Sequence, residues 1–243
     1  MIRSLLHSVF KLIFTTVLMS ILLVLVLRWV NPPGTALMLE RKIEAWQQGQ
    51  SFTPSHTWQS YKLLSDDLKM AVIAGEDQRF AQHFGFDVPA IRAALSHNEN
   101  GGALRGASTI TQQVAKNLFL WSDRSWPRKA LEAWFTLWIE LLWPKERTLE
   151  VYLNSVEWGD GIFGAEAAAK AHFGVSAKYL SAQQAALMAA VLPNPRVWNP
   201  AKPTLYISRR ATWIRQQVRQ LGASHYLAQL KFEAPSWWPA FAR

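Results

Sequence analysis

The chain of 243 residues contains no cysteine. That absence removes any disulfide framework and any thiolate zinc site, and it suits an oxidising compartment without requiring one. Acidic residues are sparse, 17 against 26 basic ones, for a formal charge of +9. Few segments alternate polar and apolar residues with a period of two, which argues against a sheet-based fold. Internal repeats and low-complexity tracts are also missing. What is there is apolar: half of the residues are hydrophobic, enough for a sizeable core in one or two domains.

The first informative segment is "KLIFTTVLMSILLVLVLRWV" (11–30), which has no charge between Lys11 and Arg28. Its uncharged core is slightly short of the ~17–25 residues of a spanning helix. Lys11 and Arg28 can snorkel and Trp29 suits the interface, so about 20 residues are usable. Arg3 and Lys11 would hold the N-terminus in the cytoplasm of a bacterial cell and send the rest outward. A cleaved signal peptide is the competing reading. No convincing small-x-small site follows Arg28, and "NPPG" (31–34) reads as a linker. The expected order is a cytoplasmic tail (1–10), a single-pass anchor in the inner membrane (11–30), a linker with a short helix (31–60) and a periplasmic domain (61–243). Arg3, Lys11 and Arg28 are the only charges in the first 30 residues, so 31–243 carry 23 basic against 17 acidic residues, or +6. That balance suits an anionic membrane surface or substrate. A translocated, anchored domain rarely meets nucleic acid, so none is expected.

Beyond the anchor the signals are helical, and the expected class is all-α. A short amphipathic helix fits 35–50, and "SFTPSHTW" (51–58) reads as extended linker. Ser65 can cap a helix over Asp66–Glu76, and Ser108 or Thr109 can start another through Leu120. Helical periods also cover 127–143, 145–156, 164–174, 181–192 and 204–222. The segment 130–143 is unusually apolar, with Trp134, Trp138 and Trp143. It is too short to span and carries Glu132 and Glu140, so a buried core helix is favoured over a lipid-facing surface.

Four stretches could carry chemistry. In "GEDQRFAQHFGFD" (75–87), Glu76 and Asp77 leave an apolar run from Met70 to Ala74. A helix ending near Gly75 puts Glu76 at the negative end of its dipole. Dipole and apolar surroundings both raise the carboxyl pKa, which suits a general base near neutrality. On position alone, a solvated acid paired with Arg79 is the plainer reading. In "RGASTITQQVAKN" (105–117), Thr109, Gln113 and Lys116 share one helical face, and Gln112–Lys116 and Gln113–Asn117 are i, i+4 pairs. A helix start with free N–H groups, hydroxyls and a lysine is an anion cradle; a capped polar surface helix explains it equally well. Walker spacing is missing, so it is no nucleotide loop. Arg128 and Lys129 lie four and three residues before Glu132, as surface pairs worth about a few tenths of a kcal/mol or as cations beside a second carboxylate. Glu150, Tyr152 and Asn154 read as buried polar groups that fix packing.

Taken together, these stretches resemble the glycosyltransferase domain of class A penicillin-binding proteins, most closely its stand-alone, monofunctional form. The family pattern Glu-Asp-x-x-Phe-x-x-His-x-Gly appears as Glu76 to Gly85. Gly-Ser-Thr-Ile-Thr-Gln-Gln-x-x-Lys-Asn appears as Ala107 to Asn117, with Ala107 in place of the glycine. Arg-Lys-x-x-Glu is Arg128 to Glu132, Glu-x-Tyr-Leu-Asn is Glu150 to Asn154, and "LPNPRVWNP" (192–200) resembles the closing motif.

The resemblance implies a lysozyme-like, two-lobed helical fold that polymerises lipid II into β-1,4 glycan strands, inverting the donor sugar and releasing undecaprenyl diphosphate. It implies Glu76 as base and Glu132 as second catalytic carboxylate, orienting cations or holding a divalent metal (Mg or Mn), although no cluster in the sequence demands one. Lys116, Arg128 and Lys129 would neutralise the diphosphate. Ser108, Thr109, Gln112, Gln113 and Asn117 would position sugar and phosphate, and Asp77 and His83 would hold the loop around Glu76. The partners implied are lipid II, the growing strand, the membrane and other cell-wall synthesis and division proteins. The nearest rival is a peptidoglycan-cleaving enzyme on the same fold, with Glu76 and Glu132 as its two carboxyls. An idle membrane scaffold is a further rival, which the intact Glu76 and Glu132 oppose. The length excludes a transpeptidase domain.

Overall fold

The computed structural model describes residues 2–99, 101, 106–123 and 125–231. Arg105 and the final stretch 232–243 of the expected domain therefore lie outside the described residues. Among the described residues the regular structure is helical, as expected, apart from one small sheet. The first helix, α1 (Ile2–Leu27), is apolar and long enough to cross a membrane, with a candidate span at Arg3–Leu27. It starts far earlier than Lys11, so the expected tail continues the same helix. Next comes α2 (Ala36–Gln47), capped by Thr35.

Helix α3 (Asp66–Glu76) has the predicted cap: Ser65 Oγ accepts from Leu68 N at 3.1 Å. Asp66 and Asp67 in its first turn suit the positive end of the dipole. Residues Leu68 to Ala74 are all buried, so α3 is wrapped by protein. Helix α4 (Val88–Glu99) follows, then α5 (Ile110–Phe119), α6 (Trp126–Leu142), α7 (Lys145–Ser155), α8 (Ala165–Phe173), α9 (Ala182–Val191), α10 (Leu205–Leu221) and α11 (Ala223–Ala228). Two groups share the core: α3 packs with α9, α10 and α11, while α5 packs with α6, α7 and α2. Gly75 permits the close crossing of α10 over α3, since a Cβ there would lie 3.3 Å from Ile214 Cδ1.

The sequence reading missed α4, α11 and the sheet. Strand β1 (Ser55–His56) lies in the expected linker and pairs in parallel with β3 (Ile162–Phe163), Ser55 opposite Ile162. Antiparallel to β3 runs β2 (Glu157–Gly159), giving the order β1-β3-β2. The segment is fixed by side chains as much as by pairing. Asn154 Oδ1 accepts from Gln59 N at 2.7 Å, and Asn154 Nδ2 donates to Gln59 O at 2.9 Å.

The C-terminal third of α1 is part of the fold. Trp134 Nε1 donates to Ser20 Oγ at 3.1 Å and Trp143 Nε1 to Val24 O at 2.7 Å. Arg147 Nη2 donates to Leu27 O and Val30 O at 3.0 and 2.9 Å, and its Nη1 to Asn31 Oδ1 at 2.9 Å. Leu5, Phe10, Leu12, Phe14 and Leu18 stay exposed along the rest of α1. Leu137 and Leu141 of α6 are exposed too, so that helix is not wholly buried as expected.

The turn after α3 is shaped by Gly85, at φ +75°, where a Cβ would sit 2.7 Å from Thr136 Cγ2 and 2.9 Å from Glu140 Cγ. Gly85→Ala should therefore cost about 2–3 kcal/mol from strain and crowding, read as a Tm drop of roughly 6 °C in thermal unfolding.

Candidate active site

Glu76 is the last residue of α3, and its side chain is 15% exposed. Its Oε2 accepts from Gln113 Nε2 at 3.0 Å. Gln113 Oε1 in turn accepts from Tyr152 OH at 3.1 Å, which fixes the amide with its NH2 toward the carboxylate. Arg210 Nη2 lies 3.6 Å from Glu76 Oε1. Burial pushes the Glu76 carboxyl above the usual range, and the Gln113 bond and the Arg210 charge oppose it without cancelling it. Burial also holds the Tyr152 phenol well above its ordinary value, so it stays protonated and keeps donating. Arg79 does not pair with Glu76; its Nη1 meets Asp87 Oδ1 at 3.2 Å.

Asp77 fixes where Glu76 stands. Its Oδ2 accepts from Ile110 N at 3.0 Å, at the first turn of α5. His83 Nε2 bonds Asp77 Oδ1 at 2.9 Å. Lys145 Nζ donates to His83 O at 2.9 Å and stands 4.5 Å from the centre of the buried Phe80 ring. Thr109 Oγ1 donates to Gly85 O at 2.7 Å and accepts from Gln112 N at 3.2 Å, while Gln112 Oε1 accepts from Thr109 N at 3.0 Å. Thr109 and Gln112 thus form a reciprocal cap on α5.

One turn beyond Gln113 on the same face, Lys116 makes no hydrogen bond or ion pair with any described residue. Burial lowers its pKa, while the charge of Glu132 opposes the shift. Glu132 is buried on α6 with both oxygens occupied: Arg128 Nη1 donates to Oε2 at 2.7 Å, and Lys129 Nζ pairs with Oε1. Arg128 Nε and Arg210 Nε are buried donors without partners among the described residues. Such groups are costly unless a ligand meets them.

An open cleft of about 580 Å³ starts at Glu76. Arg79, Asp87, Ala107, Ser108, Arg210 and Trp213 line it, among others. Lys116, Arg128, Lys129 and Glu132 do not line it; they gather about the next turn of α5. The structure thus brings Glu76 against Gln113 and the cationic cluster about Lys116, one turn further along α5, with Ser108 exposed at the cleft and Asn117 buried. Ala107 needs no glycine, because no described non-glycine residue has a positive φ. Arg210 and Trp213 are the site residues that sequence reasoning missed; Tyr152, read there as a buried polar group that fixes packing, is buried and holds Gln113. The Arg209-Arg210 pair in α10, one residue before the buried Ala211, was the available signal for the first.

A divalent metal at Glu132 does not fit these residues. Both carboxylate oxygens already meet cations, and no group of three His, Asp or Glu side chains suited to a metal occurs among the described residues.

A carboxylate with a raised pKa, next to a lysine and an arginine Nε that have no partner among the described residues, defines a site for transferring a group away from an anionic leaving group. The chain belongs to the transglycosylase family, whose description, Transglycosylase, matches residues 43–219. The fold is accordingly the lysozyme-like helical one. It is similar along nearly its whole length to curated proteins named biosynthetic peptidoglycan transglycosylase. The one from Stutzerimonas stutzeri (strain A1501) is 66% identical over 99% of this chain and 100% of its own length. The one from Ectopseudomonas mendocina (strain ymp) is 68% identical over 98% of this chain and 99% of its own.

Asp77→Asn should leave either Ile110 N or His83 Nε2 without its acceptor. We expect a loss of about 2–3 kcal/mol, seen as a Tm roughly 6 °C lower, with activity falling as Glu76 loses its fixed position.

Proposed function

We propose that this chain is a membrane-anchored peptidoglycan glycosyltransferase that polymerises lipid II into β-1,4 glycan strands. The observation that carries this reading is the pairing, across one turn of α5, of Glu76 with a lysine that makes no ion pair with any described residue. Glu76 takes the proton of the acceptor sugar's 4-hydroxyl. The oxygen attacks the donor's anomeric carbon from the face opposite the diphosphate, and the O4–C1 bond forms as the C1–O–phosphate bond breaks. The electron pair leaves on undecaprenyl diphosphate, whose charge Lys116 and the spare donor of Arg128 meet. No leaving-group proton is needed, so no acid is needed. The single displacement inverts the anomeric centre.

A peptidoglycan-cleaving reading asks more of Glu132. Hydrolysis needs a protonated carboxyl and usually a second free carboxylate. Glu132, held between Arg128 and Lys129, is poorly suited to either part.

The membrane enters through α1. Arg3 and Lys11 keep its start cytoplasmic and send the enzyme to the periplasmic face. Trp134 bonds Ser20, seven residues before Leu27, so this part of α6 sits about 10 Å along the span from its end. Exposed Leu137 and Leu141 on the same helix suit the outer leaflet, where the polyprenyl chain of the substrate lies.

Purified full-length chain should form polymer from lipid II. Glu76→Gln should keep lipid II binding and lose about 10²–10⁴-fold in turnover. Because burial raises the folded carboxyl, its proton is held more tightly in the native state. Rate should therefore rise with pH through a value above the ordinary glutamate range, and the variant should melt no lower than the parent at neutral pH. Near-normal turnover in Glu76→Gln would remove the base assignment. Lys116→Ala should lose about 10²-fold and Lys129→Ala less than about tenfold. Equal, small losses in steady-state assays would count against the anion cradle.

A further inference from the structure

Helix α10 has two unlike faces over the cleft. Ile207, Ala211 and Ile214 are buried in the core. Arg210, Trp213 and Gln217, at i, i+3 and i+7, line the cleft that begins at Glu76. Trp213 is 42% exposed and is the only aromatic side chain among the described residues of that lining. The rest of the lining mixes small residues, including Gly75, Ala90, Ala93 and Ala107, with charged and amide side chains.

An exposed indole in a cleft that several alanines and glycines keep open leaves room for something flat to lie against it. The surrounding polar groups say what kind of thing. The two arginines are each paired with a carboxylate, Arg79 with Asp87 and Arg210 with Glu76, so this side of the site is close to neutral. Gln78 Nε2 donates to Gln217 Oε1 at 3.3 Å, fixing one amide beside the ring. A neutral ligand with many hydroxyls and one face of C–H bonds fits such a wall. The negative face of the indole attracts the polarised C–H bonds, and amide, guanidinium and carboxylate groups meet the hydroxyls. A pyranose is such a ligand. Lys116 lies outside this cleft, so the diphosphate side is elsewhere.

We propose that Trp213 is the stacking platform for the acceptor sugar, the pyranose whose 4-hydroxyl Glu76 deprotonates. The proposal rests on the glycosyltransferase reading and adds the residue that orients the acceptor. Stacking fixes the plane of the ring and aims O4 at the carboxylate, so it acts on capture and alignment.

Three variants test it: Trp213→Leu keeps apolar bulk, Trp213→Phe keeps a π face and Trp213→Ala keeps neither. Full-length protein in detergent is assayed for polymer from lipid II. We expect kcat/KM to fall about tenfold in Trp213→Leu and Trp213→Ala, mainly through KM, with Tm unchanged. Trp213→Phe should recover most of it, and short glycan acceptors added in excess should compete less well against the Leu variant. A Leu variant with parental kinetics, or a Phe variant as poor as Leu, overturns the platform while leaving the transferase reading intact. A loss seen only in lipid vesicles and absent in detergent overturns it as well and assigns the ring to the membrane surface. A parent chain that makes no polymer sinks both.

Discussion

The carboxylate of Asp77 is the joint on which the site depends. It accepts from the first backbone N–H of α5 and from His83, and so ties the end of α3 to the start of α5. The negative end of one helix dipole and the positive end of another are brought together by this one side chain. Its neighbour Glu76 is thereby held against the α5 face that carries Gln113 and Lys116. Adjacent acids in the sequence receive different surroundings. Asp77 meets a backbone N–H and an imidazole at hydrogen-bond distance, whereas Glu76 meets one amide and a guanidinium 3.6 Å away. Burial leaves Glu76 more willing to take a proton than a glutamate in water.

The cationic side follows a similar logic. Glu132 is buried between Arg128 and Lys129, an arrangement that holds two charges still without neutralising the third. Lys116 remains open, and burial makes its ammonium less comfortable than it would be in water. An arriving diphosphate relieves that discomfort and meets Arg128 Nε, which has no partner among the described residues. The fold thus stores unmet demand for negative charge where the leaving group is to form.

Much of this was legible in the sequence because the signals were local. Ser65 and Thr109 cap their helices, and Asp66–Glu76 was predicted to the residue. Linked motifs placed Glu76, Lys116, Arg128 and Glu132 in one reaction before any coordinates. The sheet was illegible because strands of two or three residues have no period to read, and Ser55–His56 is held partly by Asn154, nearly a hundred residues away. The cap on α5 also changes how its polar residues are understood. Thr109 and Gln112 were expected to position substrate, yet their oxygens serve the backbone and each other. Arg210 was missed because its meeting with Glu76 depends on α10 crossing α3 at Gly75, a purely tertiary event.

The grip of Arg147 on the carbonyls of Leu27 and Val30 leaves no slack between anchor and enzyme. On the proposed reading of α1 as the membrane span, a tilt of that helix carries the catalytic domain with it like an axle, and tilting is one of the ways a span answers a change in lipid thickness. The direction in which a nascent strand leaves the membrane would then follow the bilayer itself.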